Sequence, residues 1–167
     1  MSVLYFEMII RQTFTNHLNA LWIAIITTIL YILGLLFFQF EREILFIFSG
    51  FYVLTVVPSF YLHISYAIKN KGMICHILPG KLCITKNGKE QVIESSDIED
   101  IIVFKSASIE KRGIPITPME AYFFVRILDK AGNKYDLTCL MDTKIDRSIR
   151  TVGAVPISVE RGMFNNL

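Results

Sequence analysis

Charge is absent from two long stretches of this 167-residue sequence. No Asp, Glu, Lys or Arg occurs from 18 to 40, about 23 positions, or from 44 to 68, about 25, and either run is long enough to cross hydrocarbon as a helix. Residue types that carry chemistry are sparse as well. There are 3 histidines, His17, His63 and His76, and 3 cysteines, Cys75, Cys83 and Cys139. The cysteines are odd in number and form no CxxC pair, so they read as reduced thiols rather than as a disulfide or zinc framework. GxGxxG, P-loop and HExxH patterns are missing, which removes the usual signatures of dinucleotide, nucleotide-phosphate and zinc-hydrolase sites. The formal net charge of +2 is too mild to point to nucleic acid. Residues 1–16 lack the basic start and small-residue cleavage site of a secretory signal, and the apolar run that follows is too long for one.

What is present is apolar and unevenly placed. Hydrophobic residues make up 53% of the chain and aromatic residues 13%, with the excess before residue 69. Only Glu41, Arg42 and Glu43 separate the two uncharged runs. Spans over 18–40 and 44–68 must therefore return antiparallel, as a transmembrane hairpin with 41–43 at its water-exposed tip. Upstream, Glu7, Arg11, Thr15 and Asn19 recur at helical spacing while Leu4, Phe6, Ile9, Ile10 and Phe14 occupy other faces. This predicts an amphipathic lead-in helix over 1–17, which lies among headgroups, docks on the soluble part or extends the first span. A hairpin folded about Arg42 puts Tyr61, His63 and Tyr66 level with Trp22, as an aromatic belt at one water interface. His63 is then an interfacial residue rather than a proton relay or a metal ligand. Pro58 predicts a kink in the second span. Two spans with no polar pathway between them argue against a channel or transporter. The tip carries two acids and one base, whereas Lys69 and Lys71 follow the second span and Arg11 precedes the first. By the positive-inside rule both termini are expected in the cytoplasm.

Beyond residue 68 the pattern changes to short extended runs between turns. Strands are predicted over 73–78 and 82–86 around Pro79-Gly80, then over 91–94 after the hairpin signal Asn87-Gly88, and over 98–105 after Ser95-Ser96-Asp97. A turn-rich loop, 106–118, leads to strands over 121–128 and 134–140 joined by Lys130-Ala131-Gly132-Asn133. A helix over 142–152, with Ile145, Ile149 and Val152 on one face and Gly153 at its end, is expected to cover an open end of the sheets. The tail 159–167 reads as loosely held.

Several of these pieces together resemble the bacterial pleckstrin-homology-like (PH-like) membrane proteins. They are Leu82-Cys83-Ile84-Thr85-Lys86, Ser96-Asp97-Ile98-Glu99-Asp100-Ile101, the 122–140 hairpin, and Val155-Pro156-Ile157 after the closing helix, behind a membrane hairpin. For 72–158 the resemblance implies a split β-barrel of two antiparallel sheets closed by the C-terminal helix. It also implies a role in binding or assembly at the membrane rather than in catalysis. Phosphoinositide-binding members cluster bases around the first hairpin loop; here Lys81, Lys86 and Lys89 are spread over two turns beside Glu90, so that ligand is not inferred.

Catalysis has little to draw on. Register across Pro79-Gly80 puts His76 opposite Cys83, which reads as an ordinary cross-strand pair because no third polar partner is visible. No cofactor, metal or small-molecule substrate is expected. Two readings remain: a module that takes a protein partner, or another copy of itself, at the inner membrane surface, and a module that senses anionic lipid. The candidate surface comprises Lys69, Lys71, Lys105, Ile109, Lys111, Arg112 and Ile114, with Ile116 nearby. Lys69, Lys71, Lys111 and Arg112 would grip headgroups in the lipid reading. The bland reading of the isoleucines is that they cover the domain's own core.

Overall fold

The computed structural model describes residues 7–38, 42–111, 113–162 and 165–167, without the side chain of Ile44. The chain starts with β1 (Met8–Arg11), runs out and back through α1 (Phe14–Phe37) and α2 (Arg42–Lys69), and then builds two sheets of four strands among the described residues.

Of the lead-in helix expected over 1–17, Met8–Arg11 is instead a strand, while residues 14–17 are helical as the first turn of α1, in keeping with the reading that extends the first span. β1 pairs antiparallel with β2 (Met73–Leu78), Ile10 opposite Cys75. Ile10 is 2% exposed between exposed Ile9 and Arg11. The main chain gains a ladder with β2, and alternation along the strand buries Ile10 where a helix would have left it outside; tertiary pairing overrides the helical spacing of the polar residues. Residues 1–6 lie outside the described part.

Thr13, in extended backbone, caps α1 by accepting from the Asn16 N–H at 3.2 Å, so the helix begins before residue 18. Arg42 and Glu43, expected at a tip, already belong to α2, and Glu41 lies outside the described residues. Pro58 sits inside α2, which continues through it. Both helices are long and apolar enough to cross a membrane. Polar contacts fix their register: the hydroxyls of Thr28 and Tyr52 meet at 3.1 Å, those of Tyr31 and Ser49 at 2.8 Å, and the two tyrosine rings stack at 4.5 Å. A Cβ on Gly34 would stand 3.1 Å from the Phe48 ring, so the glycine admits that side chain.

The first sheet has the order β1-β2-β3-β4, with β3 Lys81–Lys86 and β4 Lys89–Glu94. Asn87 and Gly88, at φ 52 and 76, make the predicted hairpin turn. The second sheet has the order β7-β6-β5-β8, from β5 (Ile98–Lys105), β6 (Phe124–Asp129), β7 (Lys134–Thr138) and β8 (Ile157–Arg161). The expectation of two antiparallel sheets fails here, because β8 pairs parallel with β5. Nor is 159–167 a loose tail: β8 occupies part of it, and Asn165 is buried. Local signals hide β8 because its partner is remote in sequence and a parallel pair needs no tight turn.

The loop 106–118 contains one short helix, α3 (Ala107–Glu110), and leads into a 3-10 turn, Pro118–Ala121, so β6 starts later than predicted. The helix expected over 142–152 is shorter and mixed. It comprises α4 (Ile145–Ser148) and a 3-10 turn, Ile149–Val152, after an Asp142 side chain that accepts from the Lys144 N–H and the Ser148 hydroxyl. Ile145, Ile149 and Val152 are fully buried; α4 touches β6 and the 3-10 turn touches β2. The core lies between the sheets and takes in Leu62 and Tyr66 of α2.

Candidate functional site

Hairpin and sheets meet at one junction, built from the first turns of α1, the last turns of α2 and the Pro118–Ala121 turn, which contacts both helices. His17 Nδ1 and His63 Nε2 are 3.0 Å apart, and His63 Nδ1 is 3.1 Å from the Tyr122 hydroxyl. The Tyr66 hydroxyl donates to the Asn165 carbonyl at 2.6 Å, and the Asn165 amide donates to the Tyr122 carbonyl at 3.1 Å. At the end of α2, Asn70 Nδ2 donates to the Asp136 carbonyl (2.8 Å) and the Thr138 N–H donates to Asn70 Oδ1 (2.9 Å). These buried side chains are thus paired across helix and sheet, which fixes one geometry for the hairpin relative to the domain. The aromatic belt predicted at a water interface is corrected. Tyr66 is fully buried and His63 is held between His17 and Tyr122, while Trp22 and Tyr61 remain exposed. Tyr122 and Phe123, read as ordinary strand residues, supply the facing surface, a pairing that no local pattern signals.

Among the described residues of the predicted surface, not all face outward. Lys105 is buried and its ammonium lies 3.1 Å from Asp146, so it is no outward base. Lys69 pairs with Asp136 at 3.0 Å, beside Arg126 at 2.7 Å from the same carboxylate. Ile109 packs against the core. Lys71 and Lys111 are exposed, and Arg112 lies outside the described residues. Ile114 and Ile116 are 75% and 83% exposed, so the reading in which they cover the core does not hold for these two.

Their exposure is built in. The buried Glu120 carboxylate accepts from the Ile116 N–H at 3.0 Å and the Ser108 hydroxyl at 2.9 Å. The Ser106 hydroxyl donates to the Glu120 carbonyl at 3.2 Å, and the Gly113 N–H to the Ser108 carbonyl at 2.8 Å. Between this loop and α1 runs a cleft lined by Asn19, Ala20, Trp22, Pro115, Ala121 and Phe123.

His76 does stand opposite Cys83, as register predicted. Its Nδ1 lies instead 2.6 Å from Glu7, a partner that the sequence hides because only the remote pairing of β1 with β2 brings the two together. Burial, with the neighbouring Cys83, pushes the Cys75 thiol up to about 12, and burial does the same to Cys139, so both stay protonated near neutrality. Among the described residues no cluster of His, Cys, Asp and Glu is arranged to hold a metal ion.

The chain belongs to the PH domain family: a family model described as a PH domain matches residues 4–145. That match takes in β1 and both long helices, so the hairpin lies within the family's unit. PH domains are typically non-catalytic modules that bind proteins or lipids. No curated protein and no solved structure matches the chain.

Proposed function

We propose that the chain is a non-catalytic interaction and assembly module of the cytoplasmic (inner) membrane of a bacterium. In this reading α1 and α2 cross the bilayer as two antiparallel spans, with both termini and the PH domain in the cytoplasm. The observation that carries the reading is the exposed apolar surface of the hairpin: Ile29, Leu33, Phe46 and Leu54 are exposed and take no part in the hydrophobic core, while the base is locked into the domain. A surface of that extent on a soluble monomer would be an aggregation hazard, and in lipid it is at rest. Arg11, Lys69 and Lys71 flank the domain side, and one base faces two acids at the tip, which favours the cytoplasmic placement. The segment 145–152, touching one strand from each sheet, serves as the lid of the barrel.

A protein partner, or a second copy, is taken at a sheet edge. β4 pairs with β3 on one side only among the described residues, and Val92 on it is 51% exposed, a combination suited to strand addition. Of the four bases in the anionic-lipid reading, Lys71 and Lys111 are exposed, Lys69 is paired with Asp136, and Arg112 lies outside the described residues. A photocrosslinker at Val92, used on the full chain in its native membrane, is expected to trap a protein, and Val92→Pro with the crosslinker at Gln91 to lose it. A crosslinker that traps no protein would remove the strand-addition proposal.

A further inference from the structure

We infer that the loop 113–117 is a third point of membrane contact, an aliphatic wedge that seats the PH domain in the headgroup–acyl boundary of the leaflet beside it. The inference rests on the membrane-anchored reading above. The loop flanks α1 at the level of Trp22, across the cleft that Trp22 and Pro115 share. Beyond Trp22, α1 has only Ile23 to Phe37 left, about 15 residues and about 22 Å of helix, against about 30 Å of hydrocarbon. The hairpin therefore fills the bilayer only if the hydrocarbon boundary lies at or below the level of Trp22, and that brings the loop into the interface.

Side chains near that level fit such a boundary. Within about two turns of Trp22 on the domain side, Leu18 of α1 and Ile64 of α2 are exposed, where a domain held away from the membrane would leave them in water. Ile114 and Ile116 add apolar surface from the domain itself, Trp22 has the amphipathic ring favoured at interfaces, and the exposed Lys111 can lay its stem along the acyl region with its ammonium among phosphates. The Glu120 contacts hold the Ile116 backbone outward before any bilayer is met, so little ordering is needed on insertion.

The test uses the full chain in phosphatidylcholine–phosphatidylglycerol vesicles, with brominated lipid as quencher and a single bimane label at Ile114→Cys, Ile116→Cys, Leu33→Cys or Glu90→Cys. The native thiols are buried, so the label goes to the introduced site. The labels at 114 and 116 are expected to lose about half their emission to bromines near the headgroup end of the chains, a depth of about 5–10 Å for interfacial side chains. The label at 33 should respond to deep bromines, and that at 90 should stay bright. Quenching at 33 without quenching at 114 and 116 overturns the wedge and leaves the anchored reading standing. No quenching at 33 overturns the anchored reading, and the wedge with it. Equal quenching at 90 also overturns the wedge, because it singles out no face of the domain. Both loop positions are exposed, so unchanged unfolding midpoints are expected for the labelled chains.

Discussion

Asp136 shows how single residues tie the hairpin to the domain. Its side chain is 4% exposed and receives Arg126 Nε at 2.7 Å and Lys69 Nζ at 3.0 Å, and the Arg126 guanidinium also lies over the Phe104 and Phe124 rings. Burial pushes the carboxyl up, but the hydrogen bonds and charges of Arg126 and Lys69 outweigh it and hold the group below the ordinary carboxylate range. A depressed pKa contributes stability that is complete above the unfolded value of about 3.9 and is lost as the pH falls through the folded one. Asp136→Asn is therefore expected to cost about 1–3 kcal/mol near neutrality, with Lys69 partly exposed and so partly screened. Chemical denaturation followed against pH should show the gap from the parent narrowing below about pH 4. A gap that stays constant into acid would mean that the carboxylate charge is not what stabilises the junction.

Strands and helices differ in how far the sequence reveals them. Reading β1 as a strand has a direct consequence: Ile10→Ala should destabilise the whole domain by about 2–4 kcal/mol, as for a buried core side chain, while a lead-in helix lying on a membrane would barely register it. Thermal or denaturant unfolding of the variant decides between them. Both long helices were legible because absence of charge is a signal read over many residues, and the β3–β4 hairpin because Asn87-Gly88 fixes its turn. β1 and β8 were not, since each is short and pairs with a strand far away in sequence, and neither carries a turn signal. The same limit applies to the candidate site. Exposure of Ile114 and Ile116 followed from a buried Glu120 that sequence alone presents as one more acid. Lys105 was misplaced for a similar reason: its alternation along β5 puts it inside, where only the fold supplies Asp146.

At the scale of the molecule, the hairpin is an insertion between two paired strands and not a separate anchor ahead of a domain. Leu62 and Tyr66 of α2 complete the core, and Asn70, just past its end, completes the ladder end of β7. A fragment starting at residue 72 loses these together with β1, and is expected to lack cooperative unfolding by circular dichroism; a sharp two-state melt from that fragment would show the sheets to be self-sufficient. Because the base is locked, the hairpin and the PH domain, with its edge strand β4, keep one fixed orientation relative to each other. The most direct test of this account is extraction of the full-length protein from its native membrane with alkaline carbonate. Retention in the pellet until detergent is added is the predicted result. Release into the supernatant without detergent would contradict the claim that α1 and α2 lie in the bilayer.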